Sequence, residues 1–234
     1  MLTYLLVDLS SIAIPFVFSF HKGLRFNENW YALWPALLIA AGIFISWDVL
    51  YTHLGVWGFN PRYLTGFSLL NLPLEEWLFF ICIPYACVFT YHCLGLLLER
   101  DYLAPYASLI SWFLLLSMAG GAVLFYERLY TGVTFACTAL LLLLHLRVFK
   151  SAYLGRFYFS YGVILLPFLL VNGILTGSFI EEEVVWYDNG ENLSVRVFTI
   201  PVEDFVYGML LILANVTLYE AFKARRASKE KGNG

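Results

Sequence analysis

The chain has 234 residues, 61% hydrophobic and only 13% charged, with a formal net charge of −3. A soluble domain carries about 25% charged residues, so a water-soluble enzyme and a nucleic-acid-binding protein are both excluded. The long apolar runs point instead to an all-α integral membrane protein. Aromatic residues reach 19%, which asks for a role beyond packing. Cys82, Cys87, Cys93 and Cys137 lie in apolar runs and form no CxxC pair, and the histidines have no ligand spacing, so neither a disulfide nor a metal site is expected.

Seven spanning helices are predicted, at about 2–20, 30–52, 72–98, 103–126, 130–149, 157–180 and 200–222. The first begins "MLTYLLVDLS", lacks a basic flank and carries Asp8, so it reads as a retained helix rather than a cleaved leader. The second ends in Asp48 and Thr52, four apart and therefore on one face. Next comes the loop "GVWGFNPRYLTGFSL", with Trp57 and Arg62, and then "NLPLEEWLFF", where Pro73, Glu75 and Glu76 open the third helix. The fifth helix follows a linker helix, and the sixth carries Asn172 and Thr176, again four apart. The loop "VVWYDNGENLSVRVF" leads to "TIPVEDFVYG", where Pro201, Glu203 and Asp204 open the seventh.

Glu75 and Glu203 are 128 residues apart, and the same shift lays helices 1–3 on helices 5–7. The expected plan is two parallel three-helix repeats, residues 1–98 and 130–226, with a linker helix at 99–129, a tail at 227–234 and an axis along the membrane normal. Asp48/Thr52 and Asn172/Thr176 correspond better at a shift of 124. Each loop before an acidic helix is expected to form a local hairpin, around Asn60-Pro61 and around Asn189-Gly190. Three of the 14 basic residues (Arg62, Arg128 and Arg196) fall on one face and the other eleven on the opposite face. That count predicts a multi-pass cell-membrane protein with its N-terminus and acidic helix starts outside and its C-terminus cytoplasmic.

An acid at a helix start suits the helix dipole. Two acidic pairs in register at apolar helices suggest more, because carboxylates in a membrane are costly. Every lysine lies in a loop, at a helix end or in the tail, so no retinal Schiff base is available. No glycine-rich dinucleotide fingerprint is present, and no helix carries an acidic cluster for magnesium and a diphosphate. Paired carboxyls can hold a proton, and aromatic faces stabilise cations. The chemistry that fits is acid-initiated carbocation cyclisation of an alkene without a cofactor. Asp48 has a second option, a salt bridge to Arg62.

The doubled P-x-E-(E/D) pattern, with "GVWGFNPRYLTG", "NGILTG" and "VVWY" upstream of its two copies, resembles the carotenoid lycopene cyclase domain. That family comprises heterodimeric bacterial cyclases, their fused versions and the cyclase half of fungal bifunctional lycopene cyclase/phytoene synthases. The resemblance covers the whole chain in its fused form. It implies lycopene as substrate, lipid and other carotenoid-synthesis enzymes as partners, no cofactor, and closure of ψ ends to β-ionone rings (γ- and then β-carotene). The catalytic residues expected are Glu75, Glu76, Glu203 and Asp204, with Glu75 and Glu203 preferred for their shared P-x-E position. Trp57, Trp77, Phe80, Trp186, Phe205 and Tyr207 are the expected substrate-binding rings. Asp48, Arg62, Pro73, Asn172, Thr176 and Pro201 are expected around them. The competing readings are a small proton-coupled transporter built on parallel three-helix repeats, and a cyclase making ε-rings or C50 carotenoids.

Overall fold

The computed structural model describes residues 2–232. Seven helices dominate: α1 (Thr3–Phe18), α2 (Trp30–Leu54), α3 (Leu74–Leu97), α4 (Ala107–Leu124), α5 (Leu129–Leu144), α6 (Leu154–Leu175) and α7 (Val202–Gly232). Six of the helical segments are long and apolar enough to cross a membrane, and α1, with 16 residues, is shorter. The first span was expected to reach residue 20, but a turn sets in after Phe18, stabilised by bonds from Ser19 to the Pro15 and Phe16 carbonyls. The sixth helix stops at Leu175 rather than near 180, and Gly177 (φ 107°) takes the chain into the next loop. The fifth widens into a π-helical stretch over His145–Phe149. The expected tail is not separate, since α7 runs on to Gly232, and residues 233–234 lie outside the described residues.

Helix α3 touches α1, α2, α6 and α7, and the main core runs along it. Helix α4 is peripheral. It packs on α5 and α6, and its buried residues are Ser111 and Leu115. Ser111 anchors it through a 2.5 Å hydrogen bond between its Oγ and the Tyr158 hydroxyl.

Three short two-stranded sheets gather at the end of the bundle where α3 and α7 begin. Strands β2 (Ser68–Leu69) and β3 (Leu72–Pro73) form one tight hairpin, and β5 (Arg196–Val197) and β6 (Ile200–Pro201) form another. Leu70 and Phe198, 128 positions apart, make the turns in the left-handed region at φ 58° and 57°. The hydrogen bonds repeat as well: Leu74 N–H donates to Phe67 O, and Val202 N–H to Val195 O. Pro73 and Pro201 thus end strands one position before their helices, rather than occupying the first helical turn.

The third sheet corrects the expected local hairpins. Strand β1 (Trp57–Phe59) pairs antiparallel with β4 (Val185–Tyr187), which belongs to the other half of the chain. Pro61 has no N–H to extend β1, and Asn60 accepts the Arg62 N–H to start a 3₁₀ turn instead. The Asn189-Gly190 turn does form, closed by the Asp188 carboxylate on Gly190 N–H. It delivers Glu191 to the N-terminus of α5, where Leu129 N–H donates to its carboxylate (2.8 Å) and Tyr130 N–H to its carbonyl (2.9 Å). Gly58 faces Trp186 across β1–β4, and these two residues are themselves 128 apart. A Cβ on Gly58 would lie 2.3 Å from the Trp186 indole, so glycine permits that close approach.

At the opposite end, Arg156 pairs with Glu220 (2.8 Å), which also accepts the Tyr91 hydroxyl (2.8 Å). Asp101 accepts Arg156 N–H (2.8 Å) at the start of α6. A Cβ on neighbouring Gly155 would meet Ala104 N at 2.4 Å and Ala104 Cα at 2.7 Å, both backbone atoms. Gly155→Ala is therefore expected to cost about 1–3 kcal/mol through overpacking, read as a lower thermal midpoint of the detergent-solubilised protein.

Candidate active site

Four carboxylates at the strand-bearing end fall into two kinds. Glu75 and Glu203 are fully buried and hold backbone. Glu75 Oε1 accepts Thr65 N–H (2.6 Å), and Glu203 Oε1 accepts Leu193 N–H (2.7 Å), the same bond in both halves. Glu203 also accepts the Thr131 hydroxyl (2.6 Å). Neither lines the cavity. Their neighbours in sequence do. Glu76 and Asp204 both face a cavity of about 490 Å³ with mostly apolar and aromatic walls, inside the size range of small-molecule sites.

The surroundings of Glu76 and Asp204 differ. Asp204 accepts three neutral donors: the Tyr130 hydroxyl (2.6 Å), the Asn172 amide (2.7 Å) and the Tyr187 hydroxyl (2.9 Å). Tyr187 lies in β4, where burial, and next the Asp204 charge, push its hydroxyl well above the ordinary tyrosine value, so it remains a donor. Glu76 accepts the Tyr4 hydroxyl and has the carboxyl of Asp48 beside it. Asp48 takes the Trp57 indole N–H on one oxygen, and Glu76 and Thr52 lie against its carboxyl. Asp48 and Asn172 correspond at the 124 shift. One half thus puts a carboxyl where the other puts an amide.

Trp57 and Tyr207 line the cavity, as do Asp48 and Asn172. The other expected rings lie elsewhere. Phe80 is buried in the core against Phe44. Trp77 donates to Leu69 O in the first hairpin (3.3 Å). The Phe205 ring packs on Phe168, and its carbonyl accepts the Tyr161 hydroxyl. Trp186 is 40% exposed, because side chains alternate along β4 and its neighbours Val185 and Tyr187 are the ones that line the cavity. Arg62 does not reach Asp48. It is exposed and pairs with Glu181 and Glu182. Thr176 returns its hydroxyl to the Asn172 carbonyl (2.8 Å) and meets Thr199 (2.8 Å), steadying the end of α6.

Sequence reasoning missed Tyr4, Tyr130 and Tyr187, whose hydroxyls hold the cavity carboxyls. A signal was present for two of them: Tyr4 and Tyr130 both stand in the first turn of the opening helix of their halves. Asp8 was noticed but not placed in the site. It is buried beside Glu75, and both its oxygens lack a donor among the described residues.

A family model described as lycopene cyclase matches residues 1–94 and 127–222, leaving out the stretch that holds α4. No curated protein and no solved structure matches the chain. Two acidic helix starts meeting in one aromatic cavity, in a helical membrane chain matched over most of its length, lead to one conclusion: the chain belongs to the lycopene cyclase family, whose enzymes catalyse a cyclisation in carotenoid biosynthesis.

Proposed function

We propose that the chain closes the ψ end groups of lycopene to β-ionone rings, with Glu76 as the proton donor and Asp204 as the anion that steadies the cation and takes up the ring proton. The observation that carries this division is the contrast in partners. Asp204 is met by three neutral donors, an environment suited to a carboxylate. Glu76 is met by a second carboxyl, Asp48. Two adjacent carboxyls share one proton more readily than they bear two charges.

The chemistry then balances without an oxidant or reductant. Glu76 adds its proton to the terminal double bond, leaving a tertiary cation. The next double bond along the chain attacks it, closing a six-membered ring and moving the charge to a ring carbon. Loss of a ring proton to Asp204 restores neutrality, and that proton must return to Glu76 before the next turnover. Tyr207, Trp57 and the other rings on the walls present faces to the cation, each worth about 0.5–2 kcal/mol when desolvated. Glu75 and Glu203 hold the hairpin loops that set the helix starts. In this reading the strand-bearing end faces outside and the C-terminus is cytoplasmic, supported by the uneven distribution of Lys and Arg. The apolar walls do not suit a polar solute, so the transporter reading gains no support.

Expression in lycopene-producing bacteria, with pigments resolved by chromatography, tests the reading. γ-Carotene followed by β-carotene is the expected outcome. ε-Ring or C50 products would overturn the ring assignment, and unchanged lycopene beside folded protein would overturn the cyclase reading.

A further inference from the structure

Most cavity-lining residues are buried or half-buried, and the exposed ones cluster. The four exposed lining residues are Ser10 and Ile14 on α1 and Pro167 and Leu170 on α6. The cavity therefore opens sideways, between one helix of each half, rather than toward the strand-bearing end, where Trp57, Phe59, Val185 and Tyr187 form part of its wall. Around the opening the surface is apolar: Ile14 is 68% and Leu170 57% exposed, with Leu6, Val17 and Leu166 exposed nearby on the same helices. In a membrane these side chains meet lipid tails.

The internal repeat supplies a comparison. By the correspondence of Tyr4 with Tyr130 and of Asp48 with Asn172, the seam between α1 and α6 has a counterpart between α5 and α2. Its rim is matched in exposure: Ala136 and Leu140 stand for Ser10 and Ile14, and Ile43 and Ser46 for Pro167 and Leu170, all of them exposed. Its interior is not matched. Trp47 stands where the open seam has Val171, and Tyr51 where it has Leu175. Trp47 packs edge-on against Tyr207, a cavity wall, at 5.4 Å between ring centroids, and so stands between the cavity and this seam. Tyr51 packs edge-on against Trp47 at 5.6 Å and ties α2 to α5 by donating to Leu129 O at 3.0 Å.

We propose that the α1–α6 gap is the portal through which the acyclic end of the polyene slides from the bilayer to Glu76 and Asp204, and that Trp47 and Tyr51 close its pseudo-symmetric twin. The proposal rests on the cyclase reading and adds the route, its polarity and its number. A hydrocarbon chain entering from lipid need never cross the aqueous interface. With one open seam, the two ends of the same molecule are processed in succession, with release between them.

The test uses the full chain in bacterial membranes. Ile14→Trp and Leu170→Trp narrow the portal, and Leu140→Trp and Ser46→Trp make the same change on the closed seam. The first pair is expected to cut ring formation at least tenfold, and the second to stay within twofold of wild type. A second readout does not depend on turnover. Lycopene that co-purifies with Glu76→Gln protein should fall at least fivefold when Ile14→Trp is added and persist when Leu140→Trp is added. Ile14→Phe, a smaller change, guards against misfolding and should give an intermediate loss. Equal effects on both seams, or folded portal variants that bind and turn over like wild type, would overturn the portal while leaving the cyclase reading intact. A wild-type chain that neither cyclises nor retains lycopene would sink the reading, and the portal with it.

Discussion

Glu76→Gln is expected to lower ring formation by about 10²–10⁴-fold, the range associated with removal of a general acid. The amide keeps the size and an oxygen to accept the Tyr4 hydroxyl, so the fold and the cavity should survive. What is lost, on the proposed mechanism, is the proton that starts the reaction. The informative comparison is Glu75→Gln, one position away. There the amide oxygen can still accept Thr65 N–H, and the side chain does not line the cavity. Glu75→Gln should retain at least tenfold more activity than Glu76→Gln. Pigment ratios in a lycopene-accumulating strain, normalised to membrane protein, measure both. The reverse order would mean that the reacting acid is the one that holds the loop, and the assignment to Glu76 would fall.

Asp204→Asn should cost about 10²–10³-fold, by analogy with the loss of one preorganised charge-stabilising group. Two effects act together. On the proposed mechanism the developing cation loses the Asp204 anion, and the ring proton loses its base. The substitution also turns an acceptor toward three donors into a group that is itself half donor, so the Tyr130, Asn172 and Tyr187 contacts must rearrange. Binding should suffer less than chemistry, because the polyene is held mainly by apolar walls. Absorbance of retained lycopene in the purified variant separates the two. Retained pigment with little product is the expected pattern, and wild-type turnover would remove Asp204 from the reaction.

The helix count, the location of the acids at helix starts and their pairing across 128 residues were legible in the sequence, because apolar runs and punctuating prolines are local signals. What was not legible depends on which way a side chain turns. Adjacent residues in the first turn of a helix are about 100° apart, so one glutamate of each pair meets the loop and the other meets the cavity. A shared motif position favoured Glu75 and Glu203, whereas the turn of α3 and α7 brings Glu76 and Asp204 to the cavity wall. Strand pairing was hidden for a related reason. Asn189-Gly190 does make its turn, yet β4 finds its partner more than a hundred residues away in β1, and composition carries no sign of so distant a pairing. The position of Trp186 depends on the same pairing. Expected among the substrate-binding rings, it has its side chain packed on Gly58 by the alternation of β4.

The pairing of β1 with β4 has a further implication for how the protein is put together. Each acidic helix start is secured within its own half, Glu76 by Tyr4 of α1 and Asp204 by Tyr130 of α5. The sheet beside them is shared, one strand from each half. A separated half would thus carry its acid, but without the partner strand its acid would stand open to water. Water captures a carbocation and turns a ring closure into a hydration. On the proposed mechanism the two halves therefore depend on each other for dryness as well as for the second carboxyl, and cutting the chain in the α4 region while co-expressing both parts should leave assembly of that shared sheet as the step on which clean cyclisation depends.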